Sequence, residues 1–551
     1  MSHAILTTLD AGRLRAHYRD GFWRTDTIYS LVRDHAARAP ERFAVRDRAR
    51  RLTYEALLAA ADRLAGDLAA RGVRPGQRVA VWLPSRVESA IALVACSRAG
   101  FVCCPSLHRD HTTADIVELL ARTRAAALLA QPGYGADADR RDIFAAIDGL
   151  PALRHAYRVA PVEAGAPFGD LPPDAPATAP SEDADHVVYL AFTSGTTGRP
   201  KGVMHSDNTL LANARAIAGD WRIDAGSVVY TMSPLSHNLG LGALVMALAV
   251  GGELVVHDLP RGASLLDRLV ASGATFLFGV PTHAIDLLTE LRVRGQTRLG
   301  GITGFRISGA AAPREVVAAL LDIGVVPQSG YGMTETCSHQ YTMPDDDPTR
   351  IVETVGRACP GYEVRIWRQD DPDREARVGE VGQIGGRGAS LMLGYFDDQE
   401  ATEAAFNAHG WFMTGDLGCL DADGYLRITG REKDVINRGG HKIHPARIEA
   451  LAQRHPAVAR AAAFAVADPR LGEKVCLAVM PAPGTALDDA ALLAHLDAAG
   501  LSRFDMPEYL LRLDEIPLTA TGKILKRSLI EDVRAGRLQP RPVHRPSKGV
   551  A

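Results

Sequence analysis

Residues Thr193 to Gly202 read Thr-Ser-Gly-Thr-Thr-Gly-Arg-Pro-Lys-Gly, and the run before them, Val187 to Phe192, is apolar and strand-like. Three glycines, four hydroxyls and two cations within ten residues suit a phosphate. Glycine lets the backbone approach, amides and hydroxyls donate to oxygens, and the cations offset charge. Lys201 is not spaced as in a Walker loop and no Ser or Thr follows it. A kinase-type glycine loop does not fit either. The chain must therefore fold so that a strand end presents this loop.

The surrounding text predicts that kind of fold. From Arg51 to Gly100 a helix-period segment, the strand-like Val79 to Leu83 and a further helix follow one another. The alternation resumes at Ser227 to Met232, Gly252 to His257 and Thr275 to Phe278, and predicts parallel α/β layers. The Pro-rich stretch from Ala160 to Asp185 reads as an exposed connector. Between Val364 and Gly430 strands shorten and glycines rise, as in a small twisted β subdomain. Beyond Arg431, Ala446 to His455 and Asp488 to Gly500 read as helices, and Ala461 to Val466 and Val475 to Met480 as strands. The apolar run Leu239 to Gly252 is broken by glycines and too short to span a bilayer, so it reads as a buried helix.

Four further segments follow the loop in order: Tyr331-Gly332-Met333-Thr334-Glu335, Gly410 to Asp416, Gly430-Arg431-Glu432-Lys433-Asp434 with Gly439-Gly440 behind it, and Pro517 to Lys523. Together they resemble the signatures of the adenylate-forming superfamily, which includes acyl-CoA synthetases, luciferases and peptide-synthetase adenylation domains. The resemblance implies an α/β fold with a large N-terminal domain of layered α/β subdomains plus a small β-barrel-like subdomain, spanning residues 1–430. A small mobile α+β C-terminal domain would follow over residues 431–535, and residues 536–551 read as a disordered tail. The implied reaction is AMP-forming acid–CoA ligation: a carboxylate and ATP give acyl-AMP and pyrophosphate, and CoA then gives the thioester.

The same resemblance assigns roles. Thr193, Ser194, Gly195, Thr196, Thr197, Gly198 and Lys201 would hold ATP phosphates. Glu335 would bind Mg2+, and Thr334 would help hold the α-phosphate. Tyr331 and Gly332, with Ser308-Gly309-Ala310, would border adenine. Asp416 would accept from the ribose hydroxyls, which suits a carboxylate facing a diol, with Arg431 assisting. Lys442 would contact phosphate. Lys523 would supply a point charge as negative charge builds at the α-phosphate. Lys433 marks the hinge, and Gly439 and Gly440 the pantetheine tunnel, although His441 and Arg447 stand where acidic residues are common. His237 borders and gates the acyl pocket, Asn238 reads a ring substituent, and Gly279, Val280, Met333 and His339 form other walls. Glycines at 240 and 242 would leave room for a ring or branched acyl group.

Composition excludes some alternatives. A formal net charge of −3 without charge blocks argues against nucleic acid or a polybasic membrane anchor. Seven scattered cysteines lack zinc spacing and suit a reducing compartment; with no secretory leader in the first residues, the cytoplasm is expected. A homodimer stays open. So do an aryl-acid adenylase loading the phosphopantetheine of a carrier protein, a silent acyl or nucleotide sensor, and an oxygen-using luciferase. The Lys523 loop also resembles the segment that acetyltransferases modify and deacetylases restore in bacterial acyl-CoA synthetases.

Overall fold

Among the described residues the chain builds four sheets, two of them mainly parallel with helices enclosed against them. The computed structural model describes residues 11–162, 165–169, 171–172, 179–193, 200–260, 262–309, 312–518 and 524–543. These fall into two compact units, one of residues 1–364 with 386–412, the other of residues 365–385 with 413–551.

In the first unit a nine-stranded sheet runs parallel through Val326–Met333, Gly304–Ile307, Phe276–Gly279, Val228–Thr231, Glu253–Val256 and Phe43–Arg46, with antiparallel strands at both ends. A seven-stranded sheet is parallel through Val187–Thr193, Val102–Cys104, Arg78–Trp82, Ala127–Ala130 and His155–Arg158. Its central strands read as continuous apolar text because both faces are covered. The helix Val87–Ala99 is apolar on nearly every side, and every residue from Val87 to Arg98 is buried. The expected buried helix is Asn238–Val250, closed by Gly251 in the left-handed conformation. Among the described residues no helix is long and apolar enough to cross a membrane.

Two charges inside Val87–Ala99 need partners. Glu88 receives Arg86 at 2.7 and 2.8 Å and Arg50 at 2.5 and 2.7 Å, and Arg50 also reaches Asp47 at 2.6 Å. Arg86 continues to the Gln131 side chain and the Ala160 carbonyl. Arg98 pairs with Asp62 at 2.5 Å.

Most of the short-stranded text falls in the second unit. Tyr362–Trp367, Gly382–Gly388, Phe412–Leu420 and Leu426–Arg431 form one four-stranded sheet. The sheet that follows is centred on Val458–Asp468 and Gly472–Pro481, which pair antiparallel, with Tyr509–Arg512 parallel to the latter. Helices Pro445–Ala452 and Asp489–Ala498 lie where the sequence predicts them. Residues 536–543, expected to begin a disordered tail, are ordered: Arg541 and Pro542 pair with Leu510 and Tyr509, and Val543 N–H donates to the Glu508 carbonyl. Backbone pairing to an open strand edge overrides the local Pro and Arg composition.

Burial pushes the Glu88 carboxyl up, but the hydrogen bonds from Arg86 and Arg50 outweigh it and hold the group below its ordinary value of 4.5. Its stabilising contribution is complete above that value and is lost as pH falls through the lower folded one. Glu88→Gln should therefore cost about 3–5 kcal/mol at pH 7, since the buried Arg86 loses its carboxylate and Arg50 is left with Asp47 alone. The gap to wild type should narrow below pH 4.5, read as urea midpoints from tryptophan fluorescence at both pH values. A gap that widens on acidification would contradict this.

Candidate active site

Val187–Thr193 and Lys201–Ser206 form an antiparallel pair in which Thr193 lies opposite Lys201. The connecting Ser194, Gly195, Thr196, Thr197 and Gly198 lie outside the described residues. Lys201 Nζ stands 4.6 Å from the ring centroid of Tyr395. The Tyr395 hydroxyl in turn donates to Glu335 Oε1 at 2.9 Å. Burial, with the Glu335 charge beside it, pushes the Tyr395 phenol up, so it remains a donor. Glu335 itself is only 6% exposed. A cation, a phenol and a buried carboxylate thus converge at the base of the Gly/Ser/Thr segment.

His205 ties the next segment to this corner. Its Nε2 lies 2.7 Å from the Thr334 carbonyl and its Nδ1 3.0 Å from the Thr209 hydroxyl. Burial pushes the imidazole down to about 4, so it is neutral. Nε2 then carries the proton, and Nδ1 accepts from Thr209. Thr209 is fixed because Ser206 caps helix Asp207–Asp220 in a reciprocal capping box. Thr334 is held through its backbone, beside Glu335.

Tyr331, Gly332 and Met333 end the strand Val326–Met333, where a bulge leads into Cys337–Tyr341. A Cβ on Gly332 would lie 1.9 Å from the Cys337 carbonyl, so only glycine admits this return. Tyr331 is buried, its ring 5.3 Å from that of His339, which lies 4.3 Å from Tyr362. Ser308 and Gly309 follow the neighbouring strand Gly304–Ile307, and the Ser308 N–H donates to the Gly279 carbonyl at 3.1 Å. Ala310 lies outside the described residues.

His237 caps the helix Asn238–Val250, its Nδ1 accepting from Leu239 N–H at 3.3 Å. Its ring is 6.4 Å from that of His108, whose Nδ1 lies 3.0 Å from the Ser236 hydroxyl. Burial pushes His108 down to about 4, so this contact is between neutral groups. Asn238 is partly buried in the first turn. Gly240 makes room for the preceding loop rather than for an acyl group, because a Cβ there would lie 2.2 Å from the Pro234 carbonyl. Gly242 does face open space. Val280 precedes helix Pro281–Val293, its N–H donating to His283 Nδ1. A Cβ on Gly279 would meet His283, Met232 and Phe305.

In the second unit Asp416 and Arg431 are cross-strand neighbours, with Arg431 Nε 3.1 Å from Asp416 Oδ1. Lys433 is exposed in the short 3-10 turn Glu432–Asp434, and partial desolvation, then Arg431, lowers its ammonium. Gly439 and Gly440, at φ +57° and +91°, form the two-residue turn between Ile436–Arg438 and His441–Ile443. Lys442 is exposed. The unusual His441 pairs with Asp505 at 2.8 Å, and Arg447 donates to the Gly500 carbonyl, so both substitutions have local partners. Lys523 lies outside the described residues.

Sequence reasoning missed Tyr395 and His205. Tyr395 follows a glycine, as Tyr331 does, but its strand is only Gly394–Tyr395. His205 shares the two-residue period of Val203, both fully buried, which marks an inward histidine.

The AMP-binding enzyme model matches residues 32–396, and the AMP-binding enzyme C-terminal domain matches residues 447–523. A salicylyl-CoA synthase / salicylate adenylyltransferase from Streptomyces sp. is 34% identical over 94% of this chain and 96% of its own length. A medium-chain fatty-acid–CoA ligase from Escherichia coli (strain K12) is 29% identical over 96% and 94%. The ATP-bound structure of MatB from Rhodopseudomonas palustris superposes with a TM-score of 0.82 at 28% identity, covering 92% of this chain and 99% of that one. The chain therefore belongs to the AMP-binding enzyme family, the adenylate-forming enzymes, with the large N-terminal and small C-terminal domain that its relatives share.

Proposed function

We propose that this AMP-forming acid–thiol ligase uses CoA as its acceptor and divides its chemistry between two sets of residues. In the first step an acid carboxylate oxygen attacks the α-phosphorus of ATP, and the bond to pyrophosphate breaks. In the second the CoA thiolate attacks the acyl carbon, and AMP leaves. The observation that carries this reading is the Lys201–Tyr395–Glu335 line, a cation and a buried carboxylate on either side of one phenol. Lys201 would offset phosphate charge, and Thr334 would orient the α-phosphate from its His205-held backbone. Asp416 and Arg431 would receive the ribose. Lys523 would meet the charge that develops at the α-phosphate. Residues 431–535 would turn about Lys433 between the steps, and Gly439-Gly440 would border the pantetheine arm.

The residues present fit a divalent ion carried in by the nucleotide. Among the described residues no group of three or more His, Cys, Asp or Glu side chains is placed to hold a metal. Glu335 offers one buried carboxylate, which suits Mg2+, an ion that takes one or two protein carboxylates and fills its shell with phosphate oxygens and water. When bound, Mg2+ would neutralise phosphate charge. All seven cysteines are free, which supports a reducing, cytoplasmic setting. The relatives differ in the acids they are named for, so kinship leaves the acid open. A second reading, an aryl-acid adenylase loading a carrier protein, draws on Asn238, whose amide can read a polar ring substituent. Supplying CoA or a phosphopantetheinylated carrier as acceptor separates the two.

Two outcomes test the roles. Lys523→Ala should lower acyl-AMP formation about a hundredfold or more while largely sparing thioester formation from supplied acyl-AMP. Equal losses in both steps would remove Lys523 from adenylation. Tyr395→Phe should cost about tenfold or more in kcat/KM for ATP, because Glu335 loses its donor, and the deficit should shrink as Mg2+ is raised. Pyrophosphate release at graded Mg2+ measures it; a deficit independent of Mg2+ would separate Glu335 from the metal.

A further inference from the structure

The buried arginines of the first unit are treated differently. Arg86 and Arg98 each meet a carboxylate. Arg306 is fully buried, donates through Nη1 to Gln328 Oε1, and leaves Nε and Nη2 without partners. Gln328 Nε2 is also unpartnered. Arg306 and Gln328 are register neighbours on parallel strands, at the carboxyl end of Gly304–Ile307. That is where open α/β sheets bind ligands. The guanidinium lies against the site's own backbone: a Cβ on Gly330, the residue before Tyr331, would fall 2.7 Å from Arg306 Nη2. Gly330 pairs with Tyr341, so His339, two residues earlier, shares this face.

Among the described residues no carboxylate pairs with Arg306. The Tyr341 ring lies 5.4 Å from the guanidinium carbon, but its hydroxyl is committed to Asp220 at 2.8 Å. A cation–π contact at that distance offsets only part of the desolvation of a guanidinium. Burial pushes the group down to about 10, which leaves it charged at neutral pH. The donors that remain, two on Arg306 and an amide on Gln328, match the several acceptor oxygens of a compact oxyanion.

We propose that the acid activated here carries a second oxyanion, carboxylate or sulfonate, at its far end, and that Arg306 with Gln328 receives it. This rests on the ligase reading above and names its substrate class. The donors are closed from solvent, so neighbouring side chains shift when the acid's far end arrives. Arg306 is thus a specificity residue: it touches the end of the acid that does not react.

The test is pyrophosphate release with ATP and CoA over acids matched in length and differing only at the far end, methyl against carboxylate against sulfonate. Wild type should favour an oxyanion-ended member about tenfold or more in kcat/KM, and the carboxylate and sulfonate arms show which oxyanion fits. Arg306→Met should lower that preference about a hundredfold, a ratio read within one preparation and so independent of the active fraction. Arg306→Lys should keep part of it. Should Arg306→Met fail to fold, Gln328→Leu, which keeps the charge, should shift the same ratio in the same direction. A wild-type preference for the methyl-ended member of every pair overturns the inference while leaving the ligase reading intact. So does an unchanged ratio in Arg306→Met or Gln328→Leu, the mark of a merely structural arginine. No pyrophosphate from any acid overturns the ligase reading and the inference with it.

Discussion

The carboxylate of Glu88, closed between the guanidiniums of Arg86 and Arg50, is the contact on which the first unit depends. Arg50 belongs to the turn between the last two strands of the nine-stranded sheet, and Arg86 follows a central strand of the seven-stranded one. Glu88 stands at the start of the helix enclosed with both. A hydrophobic layer alone sets how far apart sheets lie; it is non-directional and does not fix their registration. Bidentate ion pairs do, since a guanidinium and a carboxylate match in one plane. The loops that follow the strands of each sheet inherit that registration.

The candidate site uses the same economy in a weaker currency. Between the phosphate strands and the Thr334-Glu335 segment stands a neutral imidazole rather than a salt bridge. A neutral histidine spaces two backbones without adding charge between them, and its two nitrogens differ, so it fixes direction as well as distance. Tyr395 acts similarly between Lys201 and Glu335: its ring faces the cation and its hydroxyl the carboxylate. Against this background of matched partners, Arg306 stands out because, among the described residues, it meets an amide oxygen and no carboxylate.

Much of this was legible in the sequence, for identifiable reasons. Strands such as Arg78–Trp82 and helices such as Asn238–Val250 announce themselves because burial on every side leaves no polar interruption. Asp416 and Arg431 stand in motif segments that single them out, and the structure adds that they are cross-strand partners. Other features depend on distant chain. Gly240 looks like space for a substrate until the Pro234 carbonyl is seen to occupy it. Tyr395 lies on a strand two residues long, too short for periodicity to register. Arg306 sits in strand text where an arginine would ordinarily point to water, and only the sheet register turns it inward. The ordered run to Val543 was hidden because composition describes a segment alone and not the edge it can reach.

That last strand has a consequence of its own. Tyr509–Arg512 would otherwise form an open margin, a row of unpaired amides and carbonyls on which another extended chain can add. Arg541 and Pro542 cover it with a cation and with a residue that has no N–H to offer the next chain. The segment therefore works as a selvedge, the finished border that keeps a weave from growing. What it withholds is a template: a fusion or trimming that disturbs these few residues would offer the amides and carbonyls of Tyr509 and Leu510 to another extended chain.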